Sequence, residues 1–433
     1  MSSRYSVAAP LLAASIVLPV FLPIPAFRAV PVFAQTVSVA AVFLVLPPAI
    51  GADAARYLRG SRLRLLVLAM CVAATAAWIG GVLAHGLKAS SAVSLLNWLA
   101  LAALVVCGQL VFRTPARLRW LIEGWATVYA VAATLVVGYL FALFGADIFT
   151  STNRGPFQSA ARAIFPTWPN YFGIVLGACI CVSFGRLLTG RNSGAWSWWR
   201  LVALLTALLV TFSRSSWLAC LAGLAVMTAA SGRLRRSLPP LAFASALATV
   251  GALQIPAVRY QLIATFSEGT SQRVGLLERL ALVVEAYRLW REHPMFGIGF
   301  GRFEDHADRS RLAARGFADA SVTSVHNEYL TTLLKGGLLV AVTFVMFLMA
   351  AVAIFRSAIR MRDSPEVRRY GLVGLGITTV LAVAGLGAES FRAISVSGPF
   401  WLLVGAVSVL RETAPAQGAV SLPLSQEALP DGA

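Results

Sequence analysis

An arginine set between two apolar runs, and a histidine at the head of a third, are the residues of this chain best placed to do chemistry. Arg214 stands in VTFSRSSWLA, between stretches each barely long enough to cross a bilayer as helix. A charge at membrane depth is costly and ordinarily faces a cavity or a partner. The plainer reading is a tight extracytoplasmic turn whose arginine reaches the headgroups. His326 stands in SVTSVHNEYLTTLLKGGLL, just ahead of a long apolar run. An imidazole gives or takes a proton near neutral pH, and Asn327 and Glu328 are close enough in sequence to orient it. A lone histidine there also serves as a capping or interfacial residue.

More cations lie on a predicted helix at 273–291, where Leu276, Leu277, Leu280, Val283, Val284 and Tyr287 recur at helical spacing. Arg279 and Arg288 are nine residues apart, so at about 100° per residue they point to opposite faces. Arg273 and Arg291 share a face. Exposed arginines on an amphipathic helix are usually a solvated face, and most of these fit that description. The run FGIGFG at 296–301 follows no strand and opens no βαβ unit, so it reads as a sharp turn after Pro294 rather than a dinucleotide loop. The sequence offers no paired carboxylates near a basic loop, no metal-ligand cluster and no P-loop. Neither a metal nor any other cofactor is expected. The five cysteines all lie inside apolar runs without a CxxC pair, which argues against a disulfide framework or a zinc site.

The elements that must hold these residues are membrane spans. Of 433 residues, 58% are hydrophobic and only 12% charged, about half the charge of a soluble protein. Apolar runs long enough to span as helix recur from end to end, and the alternating segments of a β-barrel are missing. The spans are expected at 7–27, 30–50, 65–85, 93–112, 120–145, 168–188, 200–213, 215–231, 239–256, 327–355, 370–388 and 394–411. A cleaved leader is compatible with the N-terminus, but an uncleaved first span keeps the topology consistent. Arginines gather after every even-numbered span, as at Arg113, Arg117 and Arg119, or Arg233, Arg235 and Arg236. That alternation fits the positive-inside rule with the N-terminus in the cytoplasm. The net charge of +18 is thereby explained without nucleic acid, for which no soluble basic domain exists.

The predicted fold is therefore an all-α polytopic membrane protein of about twelve helices with one large, mainly helical extracytoplasmic loop. Residues 1–256 carry spans one to nine, 257–326 form the loop, 327–411 carry the last three spans, and 412–433 form a disordered cytoplasmic tail. A smaller outer loop, 146–167, reads ADIFTSTNRGPFQSAARAIFPT.

Four stretches, in order, resemble the O-antigen ligase and O-antigen polymerase family of bacterial inner-membrane glycosyltransferases. NRGPF…PTWPNYFGIVLG at 153–177 is similar to the family's basic-Gly-Phe stretch followed by Pro-Asn, and FSRSSWL at 212–218 to its Ser-Arg element. ERLALVVEAYRLWREHPMFGIGFGRF at 278–303 looks like its Arg-led helix running into an Asn/His-Pro-Leu-x-Gly-Val-Gly segment. HNEYLTTLLKGGLL at 326–339 resembles its His-Asn start followed by Gly-Leu-Leu. The resemblance covers roughly 150–345. It departs at Val283, where the family usually has an aromatic residue four positions after the loop arginine.

The resemblance implies a GT-C-like arrangement that moves a glycan from undecaprenyl diphosphate to a hydroxyl acceptor, extracytoplasmically and without a metal. By it, Arg214 and Arg279 match the family's catalytic arginines, with Arg273 the alternative to Arg279, and His326 matches the loop histidine. Arg288, Asn327, Arg154 and Asn170 become candidates for binding diphosphate or glycan. The implied partners are a lipid-linked glycan donor, a lipid A-core or lipid-linked glycan acceptor, and membrane lipids. Ligase, polymerase and protein oligosaccharyltransferase share this chemistry and stay open. A solute transporter is the alternative of another class, although transporters place ionisable residues near the midplane, often in two related halves, and no repeat is evident here.

Overall fold

The computed structural model describes residues 62–151, 155–164, 169–189, 194–232, 254–263, 267, 271–301, 303–314 and 324–419. The first two expected spans, most of the one at 239–256, and Arg154 lie outside these residues. The chain begins with α1 (Arg62–His85), α2 (Ala89–Val111) and α3 (Pro115–Phe144), then two short helices, α4 (Asp147–Thr150) and α5 (Gly155–Ile164). There follow α6 (Asn170–Leu188), α7 (Ala195–Val210), α8 (Arg214–Ala230) and α9 (Pro256–Ile263). The remainder comprises α10 (Ser271–Glu292), α11 (Arg309–Ala314), α12 (Glu328–Ile359), α13 (Pro365–Ala384) and α14 (Ile394–Ala419). No strand occurs among the described residues.

Helices α1, α2, α3, α6, α12, α13 and the first 20 residues of α14 are long and apolar enough to cross a membrane, and α7 and α8 are shorter apolar helices. All nine coincide with expected spans. The chain is a multi-pass, all-α membrane protein. The final helix reaches Ala419, so the start of the expected tail is helical, and residues 420–433 lie outside the described set.

Backbone hydrogen bonds must be met inside each helix where water is absent, so the helices associate through close packing rather than by hiding apolar faces from water. Small residues set the closest approaches. A Cβ added to Gly405 of α14 would lie 2.0 Å from the Val105 carbonyl oxygen of α2, and one on Gly108 would lie 2.2 Å from that of Leu402. Helix α13 packs on α8, α12 and α6, and α12 packs also on α1.

Because successive spans alternate in direction, the starts of α6, α8, α12 and α14 share one end of the bundle with the ends of α1, α3, α7 and α13. At the opposite end Glu123 of α3 collects Arg200 at 2.6 Å, Arg369 at 3.1 Å and Arg186 at 3.5 Å. Arg200 is 1% exposed. Composition marks these arginines only as topology signals; three of them also tie α3, α6, α7 and α13 together.

At the other end the segment from α10 to α12 forms a lobe with a core of its own. Ala281, Leu282, Ala286, Leu289, Ile298, Phe303, Leu312, Val325 and Leu334 make it up. The predicted helix at 273–291 is α10, but its buried face is not the one that the leucine stripe indicates. Leu276, Leu277, Leu280, Val284 and Tyr287 are 41–52% exposed, while the smaller Ala281 and Ala286 point inward. Periodicity identifies a helix without saying which of two apolar faces will find a partner.

The lobe is docked by its glycines. Ile298 and Phe300 donate backbone N–H groups to the carbonyls of Leu334 and Lys335, and Leu338 donates to that of Pro294. Helix α12 is interrupted to receive them: Gly337 adopts φ 63°, ψ −166°, a conformation essentially reserved for glycine. Gly299, at φ 70°, lies against Gly81 of α1 so closely that its Cβ would be 2.1 Å from the Gly81 Cα. The run reads as a turn, and it is also the contact surface between lobe and bundle.

Candidate functional site

Helix α8 starts at the lobe end of the bundle, after a tight turn in which Phe212 takes φ 53°. The turn is held by hydroxyls. Ser213 Oγ donates to Asn170 Oδ1 at 3.1 Å and lies 2.9 Å from Ser216 Oγ, whose own hydroxyl donates to the Asn170 carbonyl at 3.3 Å. Asn170, a candidate for binding substrate, therefore has its side-chain oxygen engaged in positioning the Ser-Arg turn. Arg214 is the first residue of the helix so anchored.

Arg279 projects from the exposed part of α10. Its charge acts on both Arg214 and His326, so the three residues chosen from sequence share one electrostatic neighbourhood. Among the described residues Arg279 makes no ion pair. Arg288, on the other face, is committed elsewhere: it bridges Glu285 at 2.7 Å and also pairs with Glu292. Glu285, 4% exposed, accepts a further bond from the Asp308 backbone at 3.0 Å, so this pair braces α10 against the following segment. The Arg273 side chain and all of Arg154 lie outside what the structure describes.

His326 precedes α12 with φ 55°, a left-handed conformation that costs a non-glycine residue of order 1–3 kcal/mol and persists where the surroundings enforce it. The helix cap is its neighbour: Asn327 Oδ1 accepts the Leu330 N–H at 2.9 Å, and Asn327 Nδ2 donates to the Leu386 carbonyl at 3.2 Å. Capping thus falls to Asn327, and His326 lies within the electrostatic reach of Arg279 and Glu278 on α10. Burial and the Arg279 charge hold its imidazole below the ordinary 6.5, against the opposing pull of Glu389 and Glu278. At neutral pH it is therefore uncharged and able to accept a proton.

The turn between α13 and α14 supplies residues that sequence reasoning missed. Arg392 donates through Nε to Glu328 Oε1 at 2.9 Å and pairs through Nη2 with Glu389 Oε2 at 3.0 Å. Glu328, fully buried, also accepts the Phe391 N–H at 2.8 Å. Only the Glu-x-x-Arg spacing in GAESFRAIS, charges at a span boundary, could have pointed there. A second surprise is that His85, His293 and His306, three of the four histidines, lie together where α1 meets the lobe. Their ring centroids are 4.8 Å (His85–His306) and 5.6 Å (His85–His293) apart. Sequence showed no such grouping. Among the described residues no set of donors is arranged to hold a metal ion.

Two guanidinium groups beside a neutral imidazole, at the end of a helical bundle, form a place where an anion is favoured and a proton can be taken up. Comparison with known proteins bears on the same segments. Residues 199–345, which contain Arg214, Arg279 and His326, match the family model described as O-Antigen ligase. Over this segment the chain is similar to the O-antigen ligase family. A search of curated proteins found no match. The O-antigen ligase segment runs from α7 through the lobe into α12, so the match and the lobe core share their elements. The match supports glycan transfer of the O-antigen ligase or polymerase type in general.

Proposed function

We propose that this protein transfers a glycan from undecaprenyl diphosphate to a hydroxyl acceptor on the periplasmic side of the bacterial inner membrane, without a metal. The observation that carries the reading is Arg279, whose charge reaches both Arg214 and His326. In the reaction the bond from the sugar C1 to the phosphate oxygen breaks and a bond from C1 to the acceptor oxygen forms. The electron pair leaves with the diphosphate, where negative charge grows in the transition state. Arg214 and Arg279 meet that charge, and fixed cations aimed at developing charge are often the largest catalytic contribution. A ring nitrogen of His326 takes the acceptor's proton. The acceptor is best assigned as lipid A-core, which makes the enzyme a ligase.

The test is transfer from a lipid-linked donor in proteoliposomes. His326→Ala is expected to lower the rate about 10²–10⁴-fold, the usual contribution of a general base. Near-normal transfer by that variant removes the role. A deletion strain separates the acceptors. Lipid-linked polymer accumulates if the enzyme is a ligase, and single-repeat products appear if it is a polymerase. Solute uptake into vesicles without glycan transfer would support transport instead.

A further inference from the structure

We propose that Glu389 is the positioning residue for His326, holding its strained backbone through Ser324 and balancing the charge around its ring. The proposal rests on the catalytic reading of His326 above and adds a residue to it.

Glu389 sits in the turn between α13 and α14, more than sixty residues from His326 in sequence, and its side chain is 22% exposed. One carboxylate oxygen, Oε1, accepts from Ser324 Oγ at 2.9 Å and from Thr331 Oγ1 at 3.1 Å. Ser324 Oγ in turn accepts the backbone N–H of His326 at 3.1 Å. The carboxylate thus fixes a hydroxyl that fixes the one peptide N–H belonging to the residue with φ 55°. Thr331, one turn into α12, shares its hydroxyl hydrogen between this oxygen and the Asn327 carbonyl at 2.6 Å, and so adds a weaker second tether. A left-handed histidine relaxes unless its neighbours over-determine it, and this pair of hydroxyls converging on one oxygen supplies that constraint.

The other oxygen faces Arg392, which is itself anchored by Glu328. Burial opposes the Glu389 charge, but Arg392, Lys335 and the two hydroxyls hold its carboxyl down at about 2. It is therefore a permanent anion at working pH. The charged groups acting on His326 are Arg279 from α10, Glu278 from α10 and Glu389 from the turn. Arg279 opposes an imidazolium, and the two carboxylates favour it. Glu389 thereby stabilises the proton on His326 once it has been taken from the acceptor, as a fixed charge near the reacting group.

The experiment uses the full chain in lipid nanodiscs, with histidine labelled for NMR. Four histidines are present, and His326→Gln identifies the signal of interest. Glu389→Gln is expected to lower the titration midpoint of His326 by at least about half a pH unit, because it removes an anion that favours the charged ring. The acid limb of the transfer rate moves with it, and kcat at pH 7 falls at least about tenfold with KM for the donor little changed. Ser324→Ala, which cuts the strut but keeps the charge, is expected to lower kcat without moving the midpoint. If the midpoint stays put in a folded Glu389→Gln protein, the electrostatic link is overturned. If Ser324→Ala transfers normally, the strut is overturned. If the midpoint moves while the acid limb does not, the link holds and His326 loses its role as proton acceptor. Should Glu389→Gln fail to fold, Glu389→Asp, with its charge drawn back by one methylene, is read the same way with a smaller shift.

Discussion

At the scale of single residues, the proposed site consists of two cations and a base held neutral. Burial and Arg279 both disfavour the charged form of His326 and hold its imidazole below the ordinary 6.5. In the proposed mechanism transfer requires the neutral ring, so the rate is expected to be flat above about pH 7 and to fall as acid protonates His326, with a midpoint below 6.5. The same depression makes the folded protein lose stability as pH falls through that window, since the unfolded chain binds the proton more readily. A pH–rate profile of wild type against Arg279→Gln checks the cause: removing the guanidinium raises the midpoint. Arg214 and His326 stand out in the sequence as polar residues at the edges of apolar runs, whereas Arg279 is separated from the other arginines of its helix only by the family resemblance. Glu389 was not legible, because its tie to Ser324 exists only once the last turn folds against the start of α12. Arg288 is committed to Glu285, three residues earlier on the same helix, a pairing that the spacing already allows.

At the scale of elements, helix existence was readable and helix orientation was not. The leucine stripe of α10 gave the right period, but the face that packs is lined by Ala281, Leu282, Ala286 and Leu289. Small side chains let the helix approach the following segment closely, and hydropathy ranks them below the leucines left outside. The glycine run after α10 teaches the same lesson. Its pattern announced a turn, whereas the reason for Gly299 is a neighbour, Gly81, that no local rule contains. Gly299→Ala should therefore lose about 1–3 kcal/mol from overpacking, and more than Gly86→Ala, which shares a positive φ but has open space around it. Thermal unfolding in detergent compares the two.

At the scale of the whole molecule, the bundle is stapled at the end remote from the site. Among the described residues Glu123 is the carboxylate that faces Arg200, Arg369 and Arg186. Arg200 and Arg369 are 1% and 4% exposed, so removing their partner leaves buried charge uncompensated, a loss of about 3–5 kcal/mol. Glu123→Ala is accordingly expected to unfold far earlier in denaturant, with transfer per folded molecule preserved. Arg186→Ala, the longest and most exposed of the three contacts, should change stability by no more than about 1 kcal/mol. The two variants separate scaffold from chemistry, since neither residue approaches His326.

The sharing of Leu334 between the lobe core and α12 has a practical corollary. Loop numbering invites one to excise 257–326 as a soluble fragment for antibody production or ligand screening. Such a peptide lacks the carbonyls of Leu334 and Lys335 that receive Ile298 and Phe300, and it lacks a residue from the middle of its own interior. It would present a floppy, sticky chain in place of a binding module, and antisera raised against it would miss the native epitope.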